Sequence, residues 1–163
     1  MKYYTGRGDN GETDLFRKRT KKNSNAVEAI GDIDELSSII GLAYSLTSNE
    51  KVKETLKNIE KDLYIINSEL AGYRKDSLQE NLKRIEKEID EYSLNVKDIH
   101  KFVYPNGNTE STIINICRAV CRRAERHTVS VTKNKEILSY MNRLSSLFFV
   151  LFRYLNDKEE LMS

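Results

Sequence analysis

The stretch "CRAVCRRAERHT", Cys117 to Thr128, sets four arginines at spacings that could hold an anion. Arg118, Arg122 and Arg126 recur every four residues, with Arg123 and Glu125 between them. At about 100° per residue, a helix here puts Arg118, Arg122 and Glu125 on one face, with Arg126 at its edge. Cys117, Val120, Cys121 and Ala124 take another face and suit a core. Like charges four residues apart cost roughly 0.2–0.5 kcal/mol per pair unless an anion or carboxylate intervenes. Two readings follow. The stripe is a solvated face paired with Glu125, or it is a cradle for polyphosphate, which planar guanidinium groups grip bidentately.

A second phosphate-competent stretch is "YTGRGDNGET", Tyr4 to Thr13. Gly6, Gly8 and Gly11 match a dinucleotide-binding fingerprint, but only three residues precede Tyr4, too few for the required central strand. As a P-loop it fails too, because Glu12 stands where lysine is needed. Its glycines still let backbone N–H groups turn toward an anion, given basic partners from elsewhere. "RKRTKK", Arg17 to Lys22, reads as a flexible basic loop. In "YMNRLSS", Tyr140 to Ser146, Asn142 and Ser145 share a helix face, where the asparagine is either exposed or reads an adenine edge or phosphate. "GDIDELSS" groups Asp32, Asp34 and Glu35 within one turn. They serve a helix dipole near an N-terminus or pair with arginine across an interface.

The elements that must position these groups are helical. Apolar residues at three- and four-residue spacing predict helices over about 26–45, 50–72, 78–93, 111–131 and 135–156. Gly72 suits the stop of the second, "VYPNGN" marks a turn, and Ser111 opens the fourth. No strand alternation is visible. The expected fold is all-α, a five-helix bundle with a glycine-rich N-terminal arm, in a single domain over 1–163. Lys+Arg 27 against Asp+Glu 25 gives a net charge of only +2, so no global field draws the chain to nucleic acid or membrane. The longest apolar run, "LFFVLF", is too short to span a bilayer, and the N-terminus carries no export signal. Cys117 and Cys121, one turn apart, make poor disulfide geometry and read as reduced, packed thiols of a cytoplasmic protein. Two cysteines without a second pair give no zinc site, and His100 and His127 read as surface residues. The absence of a Glu-x-x-His pair disfavours a di-iron bundle.

Taken together, "YTGRGDNGETDLF", "EAIGDIDELSSIIGLA", "FVYPNGN", "CRAVCRRAER" and "YMNRLSSLFFVLFR" resemble, in order and over nearly the whole chain, the propanediol-utilisation type of ATP:cob(I)alamin adenosyltransferase. The resemblance implies a homotrimer with ATP bound between subunits. Co(I) of the reduced corrinoid, cob(I)alamin, attacks the 5′-carbon of ATP and expels triphosphate, with Mg2+ accompanying the phosphates. The matching positions imply that Thr5, Gly6, Arg7, Gly8, Asp9, Thr13, Asp14 and Lys22 wrap the nucleotide. Arg122, Arg123, Ala124, Glu125, Arg126, Asn142 and Ser145 complete its site. Arg118 would pair with Asp34 of a neighbouring subunit, and Phe102 would lie against the corrin's lower face and keep the axial base away.

In such a reaction the cofactor supplies the nucleophile, so neither cysteine nor histidine need be catalytic and no protein-held metal is required. The chain departs from the family at Asn10, where the loop usually has lysine, at Ser146, where aspartate follows "NRLS", and at "YPNGN" in place of Leu-Pro-Gly-Gly. A corrinoid reductase and a cobalamin-dependent enzyme are the implied partner classes. The alternative is a nucleotide-binding regulatory bundle without transferase activity.

Overall fold

Asn49, Asn108 and Asn134 each stand just before a helix, and each side chain accepts a hydrogen bond from the first turn, from the N–H of Val52, Ser111 and Glu136. These caps satisfy amide groups that a helix start leaves without partners. The computed structural model describes residues 2–16, 18–73, 76–158 and 160–162. Within them run α1 (Asn25–Leu46), α2 (Glu50–Leu70), α3 (Gln79–Ser93), α4 (Thr109–Val131) and α5 (Lys135–Leu155). The five helices match the sequence expectation. The fourth differs at its start: Asn108 caps it, and Ser111 lies buried inside its first turn.

The apolar stripes meet in one core built from Ile33, Leu36 and Ile40 of α1, Leu56, Ile59 and Leu63 of α2, Ile85 of α3, Cys117 and Cys121 of α4, and Met141, Leu144 and Phe148 of α5. α1 packs against both α2 and α4, α4 against α5, and α5 against α3. α4 therefore stands between the first and last helices, so its two flanks are claimed by different partners. α2 stops because Gly72 takes φ +85°, where its N–H bonds the carbonyl of Glu69 and Tyr73 closes onto Ser68. One buried polar knot joins three helices: Asp62 of α2 accepts from Tyr140 Oη at 2.5 Å and is bound by Asn81 and Arg84 of α3.

A small sheet accompanies the expected five-helix bundle. β1 (Glu12–Leu15) and β2 (Lys18–Lys21) form an antiparallel hairpin, so the basic stretch expected to be a flexible loop is a strand over 18–21. Arg17, also part of that expectation, lies outside the described residues. The hairpin has no apolar alternation to betray it. Opposite charges pair across its register instead, Glu12 with Lys21 and Asp14 with Arg19. Arg19 donates to Glu12 at 2.8 Å and to Asp14 at 3.1 Å. Its turn is anchored where Phe16 N–H meets Ala71 O at 3.1 Å and the Phe16 ring lies 4.1 Å from Tyr73.

Candidate functional site

α4 does not present its arginines equally. Arg118 is half-buried; its Nε donates to Asn115 Oδ1 at 2.9 Å, and its guanidinium lies 6.0 Å from the ring centre of Phe149 on α5. Burial, and then the charge of Arg122, hold its pKa below the usual arginine value. Arg122 is exposed, and its guanidinium meets no partner among the described residues. Arg126 is exposed too, with one donor on Arg122 O at 2.9 Å. Glu125 accepts from the Asn142 amide at 3.1 Å across the α4–α5 seam. The structure thus brings Arg122, Glu125, Arg126 and Asn142 to one accessible seam. That arrangement leaves charged donors without buried partners, as a phosphate site requires.

Three neighbours behave otherwise. Arg123 is committed to α1, with Nε 3.1 Å from Asp32 Oδ1 and a second donor on Glu35. Ala124 is sealed in the core, and Ser145 is buried with its hydroxyl bonded back to Asn142 O at 2.9 Å. A buried methyl and a hydroxyl bonded to its own helix set Ala124 and Ser145 behind the exposed seam rather than on its surface.

Of the two readings of the acidic group of α1, Asp32 and Glu35 take the pairing with arginine. The helix begins at Asn25, so Asp32 sits two turns inside it, beyond the reach of the N-terminal dipole. Asp32 is nine-tenths buried because Arg123 and His127 of α4 close over it, His127 Nδ1 at 2.5 Å from Oδ2. His127 is therefore a half-buried partner of Asp32 and not a free surface residue. The signal was the four-residue spacing of Arg123 and His127, which turns both toward α1. Glu28, Asp32 and His127 also offer ligand atoms within 4.8 Å of one another. Magnesium demands an octahedral set of oxygens. Here one donor is an imidazole and both Asp32 oxygens are already engaged, so the cluster does not fit that ion.

In the arm, Gly6 and Gly11 take φ +71° and +76°, and successive tight turns close from Asp9 to Gly6 and from Gly11 to Gly8. Arg7 pairs with Asp14 at 3.1 Å, both well exposed, a surface pair that an incoming anion can exchange at little cost. Thr13 lies in β1. Lys22 folds its ammonium over Gly8, so a Cβ there would meet Nζ at 3.0 Å. Asn10, Gly11, Lys21 and Lys22 line a cleft of about 630 Å³. No described hydrogen bond or ion pair joins the arm to α4. Asp34 is exposed and likewise meets no arginine among the described residues.

Phe102 stands on the segment before α4 and is 82% exposed. It borders a cleft of about 520 Å³ together with Ile99, His100, Val103, Arg118 and Phe149. Phe149 escaped sequence reasoning. Two adjacent phenylalanines on one helix cannot both face the core; Phe148 does, and Phe149 turns to the cleft between Arg118 and Arg153, each 6.0 Å from its ring centre.

The family model for cobalamin adenosyltransferase matches residues 3–155. The chain belongs to the cobalamin adenosyltransferase family. It is 39% identical over 170 residues to a corrinoid adenosyltransferase of Bacillus subtilis (strain 168), covering 97% of this chain and 88% of that one. With the corrinoid adenosyltransferase MMAB of Homo sapiens it shares 34% identity, covering 97% of this chain and 70% of the relative. A variant of a PduO-type ATP:corrinoid adenosyltransferase from Lactobacillus reuteri, solved in complex with cobalamin and ATP, superposes with a TM-score of 0.91 at 29% identity, covering 99% of this chain and 98% of that one. The cobalamin adenosyltransferase fold is the five-helix bundle described above.

Proposed function

We propose that the exposed seam of α4 and α5 binds the triphosphate of ATP and that the Phe102 cleft receives the corrinoid. The chain is an ATP:corrinoid adenosyltransferase, which transfers the 5′-deoxyadenosyl group of ATP to cobalt and yields adenosylcobalamin and triphosphate. The observation that carries the assignment of the site is Arg118, a single side chain that borders the apolar cleft and begins the arginine stripe. The two electrons of the new Co–C bond come from Co(I), and the C5′–O electrons leave with triphosphate. Arg122 and Arg126 meet the charge that grows on the leaving group, and Glu125 holds Asn142 at the nucleotide's edge. Magnesium enters as the counter-ion of the triphosphate, since the chain's own cluster does not suit it. Phe102 presents an apolar face where the axial base would sit, which favours reduction of Co(II) to Co(I).

The arm, Thr5 to Lys22, wraps the nucleotide from a neighbouring copy. The absence of described arm–α4 bonds within one chain supports this, as does the exposed Asp34 of α1, which meets no arginine among the described residues. A homotrimer, single-domain and cytoplasmic, with Asp34 reaching Arg118 of the next subunit, is the proposed assembly. A corrinoid reductase and a cobalamin-dependent enzyme are its partner classes. No helix among the described residues is long and apolar enough to cross a membrane.

The test is anaerobic: the absorbance of Co(I) corrinoid should disappear on adding ATP and the enzyme, and not with either alone. ATP binding without that change would leave a regulatory bundle. Phe102→Ala should slow turnover from Co(II) far more than from pre-reduced Co(I), at unchanged melting temperature. Asp34→Asn should weaken ATP binding and the trimer seen in sedimentation, whereas a fully active parent monomer would exclude intersubunit sites.

A further inference from the structure

An aromatic residue that is 82% exposed cannot be held in place by its own burial. What holds the backbone of Phe102 is the stretch that follows α5. Val103 and Leu161 form an antiparallel bridge, in which Met162 N–H donates to Phe102 O at 2.8 Å and Tyr104 N–H donates to Glu160 O at 2.9 Å. Side chains extend the seam: Asn106 Nδ2 to Glu160 Oε2 at 3.3 Å, Asn156 Nδ2 to Asn106 O at 2.9 Å, and Asn108 Nδ2 to Leu155 O at 2.7 Å. Paired, extended backbone turns successive side chains to opposite sides. Both residues border the cleft, but the bridge packs Val103 against the core and leaves Phe102 exposed. A slip of one residue would exchange which of the two is packed and which is exposed.

We propose that residues 160–162 are a positioning element of the transfer reaction, acting through the Met162 N–H on the Phe102 carbonyl. The proposal rests on the role of Phe102 given above. The segment makes no covalent contribution. It restricts the 102–104 backbone to the register that presents the ring beneath the corrin, so the ring's action on the axial base depends on a hydrogen bond made on the opposite side of the segment. One main-chain hydrogen bond shifts such a clamped equilibrium by about 2- to 10-fold.

Met162→Pro deletes the donating N–H while keeping an extended backbone compatible with proline. Met162→Ala keeps the donor and removes the side chain. Both are compared with the parent and with Phe102→Ala by amide exchange over residues 102–106, ATP affinity, turnover from Co(II) and from pre-reduced Co(I), and the visible spectrum of bound Co(II) corrinoid. Met162→Pro should speed exchange in the segment, weaken the spectral signature of the base-free cobalt and slow turnover from Co(II) about fivefold. ATP affinity and turnover from Co(I) should stay close to the parent, and Met162→Ala should restore parent behaviour. The positioning role is overturned if Met162→Pro exchanges like the parent, or exchanges faster yet turns over Co(II) normally while Phe102→Ala does not. Equal damage by Met162→Ala would assign the effect to the side chain and overturn it as well. Parent-like turnover of Phe102→Ala from Co(II) removes the reading of Phe102 itself, and the clamp with it.

Discussion

Replacing Arg122 and, separately, Arg123 by alanine sets two neighbours in sequence against each other. Arg122 is exposed with no described partner, so its loss should move the melting temperature no more than an ordinary surface change, within about 0.5 kcal/mol. Its proposed work is on triphosphate, where a charged hydrogen bond is worth about 1.5–3 kcal/mol, or roughly 10- to 160-fold in kcat/KM. Arg123 instead covers Asp32, whose side chain is only 10% exposed. Breaking a buried pair costs about 3–5 kcal/mol, but the Arg123 side chain is itself 38% exposed. Screening by solvent and the remaining bond from His127 reduce the cost to about 1–3 kcal/mol. For a chain of this size that lowers the melting temperature by about 2–12 °C. The assay is a thermal melt paired with kcat/KM measured well below the transition. Arg122→Ala should lose activity and keep its melt; Arg123→Ala should do the reverse. Near-normal activity of Arg122→Ala would end the phosphate assignment, and an unchanged melt of Arg123→Ala would show that the Asp32 pair does not support the bundle.

Glu136, in the first turn of α5, accepts from Leu78 N–H at 2.7 Å and from Gln79 and Ser77, and these bonds, the backbone one first, hold its carboxyl below the usual 4.5. As pH falls the unfolded chain takes up this proton before the folded one, so the stabilisation is complete above 4.5 and fades below it. Glu136→Gln should therefore flatten the acid limb of melting temperature against pH below about 4.5; an acid limb identical to the parent's would contradict the cap. Burial pushes the Cys117 thiol up to about 12 and raises Cys121 as well. Neither should react with a thiol reagent at pH 8 faster than the chain unfolds, while both should react at once in denaturant.

The helices were legible because their stripes are regular and their ends carry asparagine caps or Gly72. The hairpin was not, since its strands are chosen by crossed charges, Glu12 to Lys21 and Asp14 to Arg19, a pattern that periodicity of apolar residues does not register. In the candidate site, the spacing within "CRRAER" set Arg122 with Arg126 at the edge of one helix face, and both are exposed. It could not separate Arg122 from Arg123, because which arginine is spent internally depends on where α1 lies, and α1 is far away in sequence. For the same reason the sequence could not choose between the dipole and the arginine-pair readings of Asp32, and His127 read as a surface residue. The role proposed for Phe102 came only through resemblance, and the bridge that holds it joins two segments separated by two whole helices.

That α1 is flanked by α2 and α4 has a consequence for the chain as it is made. α1 is finished at Leu46, but the helix that covers its second flank ends only at Val131. At ribosomal speed this is a wait on the order of 10 s. Throughout it, the nascent α1–α2 pair carries part of its apolar stripe uncovered and Asp32 without Arg123 and His127. The pair cannot mature as an independent hairpin, and the bundle closes late and cooperatively when α4 slides in beside α1. Production of this protein should accordingly be more sensitive to holding chaperones and to growth temperature than that of a bundle whose helices pack in the order of their synthesis.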